Sequence, residues 1–143
     1  MSSDPSSTQH QPLIIPVACA IIEGPDGVLC AQRSATMSLP LVWEFPGGKI
    51  ETGATAEDAL RREIREEWQV DIIIGRALPY ADHSYVEGRI IRLFPFVCRL
   101  ADEGDPIPRE HAALRWMMRE ELSSLDWAAA DVPVLEDYLN NYL

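Results

Sequence analysis

Residues 55–69, TAEDALRREIREEWQ, restrict the fold more than any other stretch of the chain. Ala56, Leu60, Ile64 and Trp68 recur at i, i+4, which on a helix of 3.6 residues per turn stacks them into one apolar stripe. Such a stripe must lie against another layer, and the strand-like segments on either side make that layer a sheet. Thr55 is the expected N-cap, with Asp58 three residues on in a variant of the capping box. Glu63, Glu66 and Glu67 share an arc of roughly 100° on the same helix, overlapping one margin of the stripe, while Arg61 and Arg65 point away. Carboxylates so close repel one another and weaken the helix. Two readings fit. One is a solvated acidic face balanced by its arginines. The other is a site for a hard divalent cation, which prefers oxygen ligands and is often held by a few carboxylates plus substrate phosphates. The Gly47-Gly48 pair upstream suits the second reading, because a bare backbone can approach a metal or a phosphate closely.

The rest of the chain supplies the sheet. Leu13 to Glu23 is an apolar run, GPDG at 24–27 has turn chemistry, and VLCAQR resumes a strand, which together predict a β-hairpin. Residues 34–42 and the Gly-punctuated PGGKIETGAT read as loops around the short segment WEF. VDIII is a strand, and residues 80–87 and 89–100 form a second hairpin turning at Glu87-Gly88. A polar loop, ADEGDPIPRE, precedes the strand ALRWMM. A short helix near REELSSL and an amphipathic helix from about Val132 to Tyr142 close the sequence. This order predicts an α+β fold, a mixed sheet sandwiched between helices (α/β/α), with residues 1–12 as a flexible tail and 13–143 as a single domain.

A chain of 143 residues, 47% hydrophobic, is long enough to bury a real core as one domain. Its net charge of −11 argues against a nucleic-acid polymer as partner, since phosphate backbones are held by basic surfaces. A small phosphorylated ligand stays admissible, because a bound divalent cation reverses the local sign. Cys19, Cys30 and Cys98 lie in apolar runs without framework spacing, which predicts buried reduced thiols and a cytoplasmic protein. No apolar run approaches the roughly 18 residues of a membrane span, and MSSDPSSTQHQP lacks the apolar region of a signal peptide.

The stretch GGKIETGATAEDALRREIREEWQV resembles the Nudix box, G-x5-E-x7-R-E-U-x-E-E-x-G-U with U a bulky aliphatic residue. Gly48 matches the first glycine, Arg62-Glu63 the RE pair, Ile64 the aliphatic position and Glu66-Glu67 the EE pair. Ala54 stands at the first box glutamate and Gln69 at the glycine after EE. The resemblance runs from about Ile15 to Tyr138 and points to the MutT-like nucleoside triphosphate pyrophosphohydrolases, the CTP (pyrimidine deoxynucleotide) branch in particular. Its carriers beyond the box are AQR at 31–33, WEFPGGKIE at 43–51, GRIIRLFPF at 88–96, REHAALRW at 109–116 and AADVP at 129–133.

The resemblance implies the Nudix fold and hydrolysis of an NTP or dNTP to the monophosphate and pyrophosphate. It implies Mg²⁺, with Mn²⁺ as a substitute, held by Glu63, Glu66, Glu67, the Gly47 carbonyl and Glu110. Glu110 and Glu63 compete for the role of general base, and Arg62 orients Glu63. Arg33 and Lys49 are the expected phosphate contacts, and Glu44, Phe45, Arg89 and Asp131 complete the substrate set, with Phe45 stacking on the base. Asp131 stands where the oxidised-guanine members carry an asparagine. An ionised Asp accepts and suits the cytosine amino group, a buried one can also donate, and the competing role is an N-cap for the last helix. Cytosine nucleotides, including 5-methyl-dCTP, are the leading substrates. The alternatives are 8-oxo-dGTP and, with Ala54 as its support, a catalytically weak nucleotide-binding protein. The missing glutamate would help tie loop to helix, so its loss points to a slower enzyme, and Gln69 would carry left-handed strain. Trp43, Trp116 and Trp127 are assigned to the core, His111 receives no role, and the oligomeric state is left unassigned.

Overall fold

The computed structural model describes residues 11–141, so the expected flexible tail lies almost wholly outside the described residues, as does Tyr142. The described strands are β1 (Leu13–Gly24), β2 (Gly27–Gln32), β3 (Trp43–Glu44), β4 (Gly47–Lys49), β5 (Ile72–Ala77), β6 (Ala81–Val86), β7 (Arg89–Leu100) and β8 (Ala113–Met117). Helix α1 spans Ala56–Trp68 and α2 spans Val132–Asn141, with 3-10 turns at Arg119–Ser124 and Ala129–Asp131. The strands form one sheet whose main path runs β3-β2-β1-β7-β5, with β4 also on β1, β6 on β7 and β8 on β2.

The predicted first hairpin exists only at its tip, where Glu23 faces Val28 and Gly24 faces Gly27. The main partner of β1 is β7, paired in parallel from Leu13↔Arg89 to Glu23↔Arg99. The remaining ladders are antiparallel, so the sheet is mixed. A long-range parallel pairing leaves no turn signature, which is why sequence pattern misses it. Residues 47–49, expected as loop, form the short strand β4 against Val17–Cys19 of β1.

The unbroken apolar run in β1 follows from its two covered faces. Ala18, Ala20 and Ile22 pack in a cluster with Leu60, Ile64 and Trp68 of α1. Cys19 and Ile21, pointing the other way, join a second cluster with Val134, Leu135 and Tyr138 of α2. The α/β/α sandwich follows directly from this alternation. Cys19, Cys30 and Cys98 are all buried and free, and burial pushes the thiols of Cys30 and Cys98 up to about 12, where they stay protonated and inert. No described helix is long and apolar enough to cross a membrane.

Helix α1 is bounded as its sequence dictates. The Thr55 side chain accepts from the Asp58 N–H at 3.1 Å, and Glu57 and Asp58 place negative charge at the positive end of the helix dipole. At the other end Gln69 adopts φ 57°, ψ 33°, and its N–H donates to the Arg65 carbonyl at 2.9 Å. Burial of Leu60, Ile64 and Trp68, each contributing about 2 kcal/mol, fixes the helix on the sheet and leaves its acidic margin facing outward.

Candidate active site

The chain delivers its functional side chains to a cleft of about 640 Å³ between the edge of α1, the 33–42 loop and the segment leading into α2. At one end lie Gly47, Gly48, Lys49, Glu63, Glu67 and Glu110. At the other lie Arg33, Glu44, Phe45, Tyr85 and Asp131. A second groove of about 690 Å³ is lined by Asp26, Asp102, Glu103 and Asp105, a set of charges that repels phosphate.

The two glycines are required by close contacts. A Cβ on Gly47 would stand 1.9 Å from the Ala18 carbonyl oxygen, and one on Gly48 would stand 2.4 Å from the Glu63 carboxyl carbon. At Gly47 the contact is with backbone and admits only a bare position, while a Cβ at Gly48 would displace the Glu63 side chain, so the loop lies directly over Glu63. Burial raises the pKa of Glu63, with a further push from Glu66, Glu51 and Glu110, while Arg62 opposes it. Glu67 is raised by burial and by its hydrogen bond and charge contact with Glu110. Among the described residues no three acidic, His or Cys side chains are gathered tightly enough to ligate one ion. The donor chemistry nonetheless fits a hard divalent ion: several carboxylate oxygens, a surplus of negative charge and a glycine cradle beside them.

Three of the predicted residues lie elsewhere. Arg62 is half-exposed on the outer side of α1, where it pairs with Glu51 at 3.8 Å, a length and exposure that make the contact weak. Glu66 is exposed and does not line the cleft, but it still perturbs Glu63. Arg89 is exposed at the start of β7 and outside the cleft lining; its carbonyl accepts from the Ser84 hydroxyl at 2.7 Å. At the box departures, the Ala54 N–H closes a turn onto the Glu51 carbonyl at 3.0 Å, and Gln69 takes the left-handed conformation expected of it.

The other end of the cleft is drier. Asp131 is 7% exposed, and its Oδ2 accepts from the Phe45 N–H at 2.8 Å, so the carboxyl binds β3's neighbour across the fold and does not cap α2. Burial pushes Asp131 up to about 8; the Phe45 amide pulls it down, Glu44 pushes it up and Arg33 pulls it down. At neutral pH the group is therefore mostly a neutral acid. Arg33 is fully engaged with its surroundings: NH1 to Glu44 at 3.0 Å, Nε to the Ser38 carbonyl at 2.6 Å and NH2 to the Ser38 hydroxyl at 2.9 Å. Phe45 is 3% exposed with its ring tilted on Trp127 at 4.7 Å.

Two residues here escape the sequence reading. Tyr85 is 38% exposed along the cleft, and its hydroxyl accepts from the Ala130 N–H at 2.8 Å, which pins an aromatic ring beside Asp131. His111 bonds Glu44 from a nearly closed position. His111 lies within REHAALRW and Tyr85 in none of the quoted segments, but only the tertiary pairing of distant segments gives either its partner.

Comparison with known proteins agrees with this geometry. The NUDIX domain family matches residues 13–138. The CTP pyrophosphohydrolase of Escherichia coli is 38% identical over 128 residues, covering 88% of this chain and 92% of that protein. An 8-oxo-dGTP diphosphatase of Proteus vulgaris is 34% identical over 86 residues, covering 60% and 77% of the two chains. The solution structure of a MutT protein, a Nudix family hydrolase of methicillin-resistant Staphylococcus aureus, superposes with a TM-score of 0.73 at 44% identity, covering 90% of this chain and 98% of that one.

Proposed function

The chain belongs to the Nudix hydrolase family, and from that premise we propose that it is a Mg²⁺-dependent pyrophosphohydrolase of cytosine nucleoside triphosphates, releasing the monophosphate and pyrophosphate. The cleft supports this reading at both ends. Glu63, Glu66, Glu67, Glu110 and the Gly47 carbonyl are the groups that would hold the cation. A bound divalent cation supplies charge neutralisation on the phosphates and lowers the pKa of an attacking water. Lys49, exposed on β4 in the cleft, is the group that would meet the phosphate chain. Arg62 and Arg89 lie outside the cleft lining, Arg62 acting on Glu63 through its charge and Arg89 standing at the hairpin beside the cleft mouth.

The observation that carries the choice of base is the buried Asp131 carboxyl. A neutral carboxylic acid presents one O–H donor and one carbonyl acceptor. Cytosine presents the complementary pair, N3 as acceptor and the N4 amino group as donor. The bond to Phe45 occupies Oδ2 and leaves Oδ1 to meet N3, with the second lone pair on Oδ2 available to N4–H. Arg33 and Glu44 brace this end, and Tyr85 supplies an aromatic face beside it. The ionised form of Asp131 would instead suit guanine, whose N1–H and N2 amino groups both donate. That is the second reading, oxidised guanine triphosphates such as 8-oxo-dGTP, and the Proteus vulgaris relative's name favours it.

The test is a panel of CTP, dCTP, 5-methyl-dCTP, 8-oxo-dGTP and ATP assayed for monophosphate and pyrophosphate across pH 6–9 with Mg²⁺. ATP is included because adenine offers the same donor–acceptor order as cytosine on a larger ring. The proposal expects kcat/KM for cytosine nucleotides to exceed the others and to weaken relative to 8-oxo-dGTP as pH rises through about 8, where Asp131 ionises. A preference for 8-oxo-dGTP at every pH overturns the base assignment. Tight nucleotide binding with no product at any Mg²⁺ concentration overturns the catalytic reading itself.

A further inference from the structure

His111 lies outside the acidic helix and outside the Gly-rich loop, yet its side chain is 8% exposed and makes one strong polar contact. Its Nε2 stands 2.8 Å from Glu44 Oε2. A carboxylate can only accept, so Nε2 carries the proton and Nδ1 is left as an acceptor. The ring also meets the Trp68 indole edge-on, with centroids 5.8 Å apart. Glu44 is held from its other oxygen by Arg33 at 3.0 Å, so three side chains form a continuous line. That line runs from the 33–42 loop, through the end of β3, to the loop that follows β7.

This last loop, residues 101–112, is tied down on both sides of Glu110. Before it, the Ile107 N–H donates to the Trp68 carbonyl at 3.1 Å and Arg109 NH1 to the Glu66 carbonyl at 3.1 Å. Both acceptors are end-of-helix carbonyls of α1 that have no partner within the helix. After it, the Ala112 N–H donates to the Gln32 carbonyl at 2.8 Å. Among these anchors the His111–Glu44 bond is the one made by side chains on both partners inside the cleft. Glu110 itself contacts Glu67, so the anchors on either side decide where its carboxylate points.

We infer that His111 is a positioning residue: its Nε2–H bond to Glu44 holds the 101–112 loop so that Glu110 stands over Glu67 at the acidic end of the cleft. The inference rests on the proposed reading of Glu110 as part of that acidic end. It also joins the two halves of the cleft, because the same Glu44 that braces the base end anchors the loop serving the phosphate end. The wall between base recognition and chemistry is therefore one partly buried ion pair extended by an imidazole.

The test compares the full chain with His111→Phe, which keeps a ring against Trp68 but removes the donor, and with His111→Gln, which restores an N–H near the Nε2 position. Each protein is measured for kcat, KM and Mg²⁺ requirement on its best nucleotide, and for hydrogen–deuterium exchange over residues 107–112. The expected result for His111→Phe is a loss in kcat of about tenfold, the scale seen when outer partners of catalytic groups are removed. KM should stay within about twofold, the Mg²⁺ requirement should rise and exchange at Ala112 should quicken. His111→Gln should recover most of each. Unchanged kcat and exchange in His111→Phe overturn the inference, as does an equal loss in both variants that tracks a fall in Tm. If the unaltered protein turns over no nucleotide, the pyrophosphohydrolase reading fails, and the exchange comparison alone still decides whether His111 holds the loop.

Discussion

At its acidic end the cleft draws Glu63 and Glu67 from one continuous helix, with Gly48 packed over Glu63. At its base end Asp131, Phe45, Arg33 and Tyr85 come from four different segments of the chain. The acidic end is partly open to water, and its carboxylates are raised first by burial and then by one another. At the base end Asp131 and Phe45 are buried, Arg33 and Tyr85 less so, and the groups are fixed by hydrogen bonds of 2.8–3.0 Å. Most of the acidic groups can come from one helix because a hard cation needs only a cluster of oxygen ligands, with Glu110 brought in from the 101–112 loop. A base reader has to exclude water for its hydrogen bonds to discriminate, and that takes walls from several parts of the fold. The two ends should therefore fail in different ways when altered.

The largest effect is expected at the acidic end. Glu67→Gln removes a ligand charge and should lower kcat by at least about 100-fold, by the same factor for every nucleotide, because the phosphates are common to all. A loss that differs between cytosine and guanine nucleotides would break the separation of the two ends. Asp131→Ala should do the reverse. It deletes a donor and an acceptor from a buried edge and should cost cytosine nucleotides about 10- to 100-fold in kcat/KM, with a much smaller loss for nucleotides that never used that edge.

A finer version of the same comparison uses Asp131→Asn. Asparagine has the shape of the neutral acid and, with its oxygen toward the Phe45 N–H, presents a donor in place of the Oδ1 proton. Cytosine turnover should therefore survive within a fewfold, and the decline above about pH 8 should vanish. Stability should follow the same group. Its folded-state pKa is raised to about 8 from 3.8, so between those values the folded chain holds more protons than the unfolded one. The wild-type protein thus loses stability as pH rises from about 4 to about 8, while Asp131→Asn does not. Tm measured across that window should diverge in favour of the variant, and parallel curves would mean that Asp131 is ionised in the fold.

How much of this was legible follows from the same contrast. The helix, its Thr55 cap and the left-handed Gln69 are local facts, set by spacing within 15 residues, and they stand as the sequence implies. Of the three glutamates on that helix, Glu63 and Glu67 line the cleft and Glu66 does not. The hairpin turning at Glu87-Gly88 is local too. The parallel β1–β7 ladder and the strand at Gly47–Lys49 are not, because their partners lie far away in the chain and carry no turn chemistry. Asp131 was visible as a candidate, but its partner Phe45 lies 86 residues away and could not be read. The same holds for His111, a lone loop histidine until the fold brings Glu44 to it.

The smallest effect concerns the point where α1 ends, close to Glu66 and Glu67 yet governed by backbone geometry. Gln69 sits at φ 57° with an exposed side chain, closing the helix through its N–H bond to Arg65. A side chain with a Cβ is strained in the left-handed region, whereas glycine is not, so Gln69→Gly should stabilise the fold by about 0.5–1 kcal/mol despite glycine's larger unfolded-state entropy. That corresponds to a rise in Tm of roughly 2–4 °C. Turnover should stay unchanged, because the N–H bond that sets the end of the helix is a backbone bond and survives the substitution. An altered kcat with unchanged Tm would give the opposite lesson: the strain would then be aiming Glu66 and Glu67, and the acidic end would depend on more than the local helix that carries it.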